Sequence, residues 1–494
     1  MTLDPASADL LIPFADRLFI GGDWVKPSTS DRFALIMPST EELFGHVAEA
    51  QQDDVHQAVS AARTAFDNGP WPRMSPSERA AHLRAIADAL AAKIGDASRI
   101  WTSEMGVVHG VSQYITSGMP DILRFYAAMA DDYPFIEQHP SSDGGKGLLV
   151  REPVGVVAAI VPWNAALMLA LYKVAPALLA GCTVILKASP EAPGALYLLA
   201  EAIREANLPA GVFNMITADR AVSEQLVRHP GVDKVSFTGS SAVGKTIASI
   251  CGERVARFTL ELGGKSAAVI CDDADLQKVA EAITNSTTLM TNQVCAALSR
   301  VIVPRARHDA MVEALDGAFR SVKVGDPFDP ATQMGPLAMA RQRDRVEAYI
   351  AKGVSDGATL ATGGKRAAGM NRGFFIEPTV FGNVDNDSTI AQEEIFGPVV
   401  AVIPAENEDH AVELANDSVF GLNSAVFSND PERVYRMARR LRAGTVGQNG
   451  FRPDFTIAFG GFKQSGIGRE GGREGLAPYL ETKTIVMDQE LAGL

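Results

Sequence analysis

Apolar residues recur at helical spacing early in the chain and in short runs later. Leu83, Ile86, Leu90 and Ile94 stand three or four residues apart, the spacing of one face of an amphipathic helix. Ahead of them, Ser75, Pro76 and Glu78 supply a cap, a first-turn proline and a capping-box acid. The pattern predicts a helical N-terminal region. From Pro153 it changes to short apolar runs at 156–161, 183–186, 212–216 and 235–237, separated by longer amphipathic segments. Strand-length runs that alternate with helical segments predict parallel βαβ units. Residues 139–151, rich in glycine and serine, read as a hairpin or excursion outside that sheet and a domain boundary. After Cys295 a second alternation places strands at 300–303 and 399–403 and helices at 309–322 and 342–351. A second α/β domain is expected there.

A chain of 494 residues exceeds what one hydrophobic core covers, so two or three domains are expected. Its 47 % hydrophobic and 21 % charged residues exclude a disordered or fibrous class. A net charge of -14 with scattered basic residues argues against nucleic acid or an anionic membrane as partner, since both need a basic patch. Cys182, Cys251, Cys271 and Cys295 are far apart, with no CxxC pair and no histidine at ligand spacing, so no metal site is expected. Asp4 and Asp9 stand where a secretory leader needs positive charge. The expected location is the cytoplasm, with reduced thiols. The apolar run at 154–161 stops at Pro162, well short of a membrane span.

Gly239-Ser-Ser-Ala-Val-Gly244-Lys245-Thr246 satisfies the literal P-loop pattern of an NTPase. Asp272 and Asp273, after the apolar run 267–270, imitate its magnesium-binding acid. Against an NTPase, the pattern falls on the fourth βα unit rather than the first, and the acid follows only about one element later. Glycines at a strand-to-helix turn also let backbone N–H groups approach a dinucleotide pyrophosphate. A tight turn with a merely permissive glycine fits equally well.

Four separated features share one explanation: Pro162-Trp163-Asn164, Glu261-Leu262-Gly263-Gly264-Lys265, Gln293-Val-Cys295-Ala-Ala-Leu-Ser-Arg300, and Glu393-Glu394-Ile-Phe396-Gly397-Pro398. Together, and in this order, they resemble the aldehyde dehydrogenase superfamily from Leu18 to Lys483. The residue types themselves suit the chemistry. Hydride leaves more readily from a tetrahedral adduct than from a carbonyl, so a nucleophile must add first, and Cys295 suits that task. The other three cysteines read as inert and buried. Asn164 serves equally well locally as the N-cap of a helix over 165–180 or as an oxyanion donor; the resemblance selects the donor. It also selects Glu261, otherwise a solvated strand-end acid, as the base that activates water for thioester hydrolysis. Gly263 and Gly264 would permit a sharp turn beside it.

The resemblance further implies NAD, with NADP possible, held by Val161, Pro162, Trp163, Lys187, Ser189, Gly239, Ser240, Gly244, Leu262, Glu394 and Phe396. Taken alone, Lys187 reads as a surface lysine and Phe396 as a core aromatic. The sequence departs from the family pattern at Pro190, where many relatives carry a glutamate that holds the ribose, and at Asn292, where the cysteine loop usually has glycine. The implied fold is α/β: an open parallel-sheet cofactor domain (1–131 and 153–262), an α/β catalytic domain (263–478) and a small β oligomerisation element (132–152 and 479–494). A homodimer or homotetramer is expected. Ala165, Leu169, Tyr172, Val294, Phe451, Phe455 and Phe459 are the expected substrate-tunnel residues. They predict a roomy apolar tunnel for a medium-chain, aromatic or terpenoid aldehyde. Arg452 at its mouth would favour an acidic substrate unless it points to solvent. The rival functions are a CoA-acylating relative, a non-catalytic relative, and the P-loop NTPase.

Overall fold

Residues 12–142 and 145–488 are described by the computed structural model; most of the segment read for a leader, and the end of the expected tail, lie outside them. The predicted βαβ units form an eight-stranded sheet. Its parallel centre runs, in space, Arg257–Glu261, Lys234–Thr238, Val156–Ile160, Thr183–Ala188, Phe213–Thr217. Antiparallel strands border it: Leu18–Ile20 and Asp23–Val25 on one side, Gly466–Ile467 on the other. Alternation splits the central strand between two cores. Val157 and Ala159 pack toward the N-terminal helices and Ala166–Ala180, whereas Val156, Ala158 and Ile160 pack toward Gln52–Asp67 and Ser241–Arg254. Because Val156–Ile160 pairs on one side with the next strand and on the other with the fourth, the winding reverses there. A crevice at the carboxyl ends of the strands follows from such a reversal.

The second alternation is a seven-stranded sheet, in the order Thr359–Thr362, Thr379–Gly382, Val399–Ala405, Leu298–Pro304, Ser266–Ile270, Asn423–Phe427, Thr445–Gln448. It is parallel except at the first pair. The expected hairpin is Ile136–Pro140 with Lys146–Pro153, and Leu480–Met487 completes a three-stranded antiparallel sheet; residues 143–144 at its tip are outside the described set. The predicted N-terminal helix is Pro76–Ala91, where Ser75 Oγ accepts from the Glu78 N–H (3.3 Å) and Glu78 accepts from the Ser75 N–H (2.7 Å). Ile94 opens the next helix, Ile94–Met105. No helix among the described residues is long and apolar enough to cross a membrane.

The P-loop imitation dissolves in this architecture. A P-loop wraps phosphate with the residues between its glycines, but here helix Ser241–Arg254 already contains Gly244, Lys245 and Thr246. The would-be magnesium acids follow a strand of the other sheet. Asp272 pairs with Arg433 at 2.6 Å, and Asp273 accepts from Asn429 N–H at 2.7 Å and Ser428 Oγ at 2.9 Å.

Candidate active site

A cavity of about 340 Å³ opens at the carboxyl ends of the central strands, and Val161, Pro162, Lys187, Ser189 and Gly239 line it. Lys187 is no surface lysine: it is 8 % exposed, and burial pushes its amine down to about 8. Ser240 caps helix Ser241–Arg254, its Oγ accepting from the Val243 N–H at 3.4 Å. The positive end of that helix therefore faces the turn. Gly244 does not belong to the turn. A side chain there would begin 2.5 Å from Leu262, so the glycine permits close packing of the helix on Leu262, which in turn is fixed by its N–H on Ser465 O at 2.9 Å. Pro190 and, beside it, Glu191 also line the cavity. Burial pushes the Glu191 carboxyl up, but hydrogen bonds from Arg341 and Ser189 outweigh it and hold the group below the usual carboxylate range.

Cys295 follows a loop in which Met290, Thr291 and Asn292 all adopt left-handed backbone, with φ of 52°, 54° and 58°. Asn164 lies beside this loop and does not cap the neighbouring helix, which starts at Ala166 with Ala165 in the cap position and no side-chain bond. Instead Asn164 Nδ2 donates to Gln293 O at 3.0 Å, while its own carbonyl accepts from Trp101 Nε1 at 2.8 Å. One amide hydrogen is committed to the cysteine loop; the second is available to an oxyanion.

Glu261 ends its strand at 2 % exposure, not in solvent, and neither carboxyl oxygen has a hydrogen-bond partner among the described residues. Burial and then the Glu470 carboxylate raise its pKa well above the usual range. Glu470 is itself paired with the fully buried Lys173, which also donates to Thr238 Oγ1 at 2.7 Å. Gly263 and Gly264 are there for space rather than for an unusual turn. Neither has positive φ, a side chain at 263 would begin 2.6 Å from the Glu394 carboxylate, and one at 264 would collide with the Cys295 carbonyl. Glu394 accepts from the Gly264 N–H at 3.1 Å, and burial pushes its carboxyl up to about 7. Trp163 and Phe396 meet edge to face at 5.4 Å, so the half-buried Phe396 is not a core aromatic.

Desolvation pushes the Cys295 thiol up to about 12, with the Glu394 and Glu261 charges adding to it. Both acids border the cysteine loop: Glu394 binds the N–H of Gly264, whose α-carbon backs on the Cys295 carbonyl, and Glu261 Oε1 lies against Gly460, next to the Phe459 that packs with Cys295. The other three cysteines are buried, with thiols raised by burial. Phe451, Phe455, Phe459 and Val294 form one apolar cluster with Cys295. Tyr172 stacks on Phe455 at 4.4 Å, and Phe455 on Phe459 at 4.3 Å. Arg452 is exposed. Ala165 and Leu169 belong to the helical core, at 5 % and 6 % exposure, against which Tyr172 and Val294 of that wall also pack. The space that Ala165 lines, with Trp101 and Glu104, is about 10 Å³, roughly one water.

Three features escaped the sequence. Glu191 lies one residue beyond Pro190, where the family pattern has a ribose-binding acid. Lys173 could have been noticed as the single charge in the apolar helix Ala166–Ala180. Its partner Glu470, 297 residues away, carried no local signal.

The aldehyde dehydrogenase family profile matches residues 24–485. Geranial dehydrogenase of Castellaniella defragrans is 43 % identical over 472 residues, 95 % of this chain and 98 % of that protein. A Mycobacterium tuberculosis aldehyde dehydrogenase crystallised with NAD+ is 44 % identical, with a TM-score of 0.93 over 96 % of this chain and 98 % of that one. Betaine aldehyde dehydrogenase of Staphylococcus aureus, also with NAD+, is 36 % identical with a TM-score of 0.95 over 99 % and 98 %. With this fold, and with a thiol, an amide and a buried carboxyl brought together at its crevice, the chain belongs to the aldehyde dehydrogenase family.

Proposed function

We propose that the protein oxidises an aldehyde to its carboxylic acid with NAD, and that the convergence of Asn164, Glu261 and Glu394 on the Cys295 loop carries this function. Cys295 loses its thiol proton to water and the thiolate sulfur adds to the carbonyl carbon; the resulting oxyanion accepts hydrogen bonds from the free Asn164 amide hydrogen and the Cys295 N–H. The 340 Å³ cavity holds the adenosine half of NAD, with Lys187 and Ser189 at its ribose, Gly239 and Ser240 at the pyrophosphate, and Trp163, Glu394 and Phe396 at the nicotinamide end. Bound there, NAD supplies the acceptor for the hydride that leaves the adduct carbon. Glu261 then takes a proton from water, which attacks the thioester, releases the acid and restores the thiol. A CoA-acylating enzyme would have no use for that base.

In this reading the eight-stranded sheet is the cofactor domain and the seven-stranded sheet the catalytic domain. The three-stranded sheet serves oligomerisation: its strands expose Ile136, Ile485 and Val486 at 47 %, 38 % and 59 %, apolar edges that suit a homodimer or homotetramer. Four free cysteines fit a reducing cytoplasm. The stacked Tyr172, Phe455 and Phe459 beside Cys295 favour an apolar substrate, medium-chain, aromatic or terpenoid. Each buried CH₂ adds about 0.8 kcal/mol of binding. Comparing kcat/KM across straight-chain aldehydes, benzaldehyde, citral and succinic semialdehyde tests this; the apolar aldehydes should lead. First rank for acetaldehyde or the acidic semialdehyde would overturn the substrate class, and inactivity with all of them the function.

NAD is the preferred cofactor because Glu191 restores, one residue later, the acid that Pro190 removes. Its ionised carboxylate would repel a 2′-phosphate in the same cavity. Removing such a charge near the surface is worth about 1.4 kcal/mol, or about tenfold. Glu191→Gln should raise the NADP-to-NAD ratio of kcat/KM by about that factor. An unchanged ratio would mean that Glu191 does not face the ribose.

A further inference from the structure

Asn292 stands where the family pattern has glycine, and its surroundings show more than tolerance of the exchange. Its φ of 58° is a conformation that asparagine accepts more readily than other side chains. The side chain that glycine would lack is 2 % exposed and put to use: Nδ2 donates to the Gly397 carbonyl at 2.9 Å. Gly397 directly follows Phe396, whose own φ is 63° and whose carbonyl accepts from Gln342 Nε2 at 2.8 Å. On the cysteine side, Thr291 Oγ1 donates to Gly335 O at 3.0 Å and Gln293 Oε1 accepts from the Ala338 N–H at 3.0 Å. The Gln293 carbonyl in turn receives Asn164. Of these three consecutive side chains, Asn292 alone reaches the Phe396 turn; its neighbours tie the loop to residues 335–338.

We propose that Asn292 is a positioning residue that locks the Cys295 loop to the Phe396–Gly397 turn, setting the distance from the adduct carbon to the nicotinamide. The inference rests on the assignment of Phe396 to the nicotinamide end. The bond joins two left-handed segments that belong to different supports: the nucleophile's loop, and the turn carrying Phe396 and, two residues before it, Glu394. The first is a single distorted 3-10 turn, Leu289–Asn292, and the second belongs to no helix or strand, so no backbone ladder fixes their separation. A glycine at 292 would keep the backbone conformation and lose this connection. Misplacement of about 1 Å costs up to about a hundredfold in a reacting pair.

The test is stopped-flow measurement of reduced-cofactor formation with ordinary and 1-deuterated aldehyde, for wild type, Asn292→Gly and Asn292→Asp. Asn292→Gly keeps the positive φ and should fold. Asn292→Asp keeps size and backbone preference but sets an acceptor against the Gly397 carbonyl. Both variants should slow the burst about tenfold and show an enlarged deuterium isotope effect on it, with thioester hydrolysis unchanged. A merely structural residue would change the amount of active enzyme and not the isotope effect. A wild-type burst with unchanged rate and isotope effect in Asn292→Gly overturns the positioning role alone. No reduced cofactor at all from wild type overturns the functional reading beneath it.

Discussion

Cys295→Ser lowers kcat/KM for aldehyde oxidation by at least about a thousandfold and leaves NAD affinity essentially unchanged, because a serine hydroxyl is a far weaker nucleophile near neutral pH. The sulfur lies beside Asn164's contact to the loop, and Cys295 is not among the residues that line the cavity assigned to the adenosine half of NAD. Loss of turnover is therefore expected without loss of binding, which steady-state kinetics and NAD titration measure separately. The same environment fixes a pH dependence. With the thiol pushed up to about 12, only a minute fraction is thiolate at pH 7, and that fraction grows about tenfold per pH unit below the pKa. Alkylation of Cys295 in the cofactor-free enzyme should rise accordingly from pH 7 to 9. Normal turnover in the serine variant would remove Cys295 from the chemistry.

Glu261→Gln should form the first equivalent of reduced cofactor per active site at close to the wild-type rate and then stall, its steady-state rate down about 10² to 10⁴-fold, the usual contribution of a positioned base. Only hydrolysis of the thioester needs a proton acceptor there. Burial and the Glu470 carboxylate push the Glu261 carboxyl up, and a base must be deprotonated to work. Deacylation should therefore rise with pH through the raised pKa of Glu261, and that rising limb should vanish in the glutamine variant. A glutamine variant that turns over at the normal steady-state rate would return Glu261 to a structural role.

Much of the fold was legible because hydrophobic period reports local structure directly. The runs at 156–161 and 235–237 became Val156–Ile160 and Lys234–Thr238, and the cap at Ser75 formed as its residues dictate. Local pattern misled where a short motif had two physical uses. Gly244 looked like a phosphate-loop glycine, but it is a packing glycine against Leu262. Gly263 and Gly264 looked like turn glycines, and they make room for Glu394 and Cys295. Asn164 looked equally like a cap, and its side chain turned to the cysteine loop instead. The least legible features join distant segments. The Lys173–Glu470 pair beneath Glu261, the Asn292 bond to Gly397 and the clamp of Arg341 on Glu191 depend on which surfaces meet. Periodicity and spacing carry no record of that.

The most direct test of the central claim is intact and peptide mass spectrometry of Glu261→Gln, acid-quenched after reaction with one equivalent of an apolar aldehyde and NAD. An acyl group of the matching mass should be found on the peptide containing Cys295, formed only when NAD is present, because oxidation must precede the thioester. An enzyme that turns aldehyde into acid without that adduct, or with the acyl group on another residue, would contradict the account.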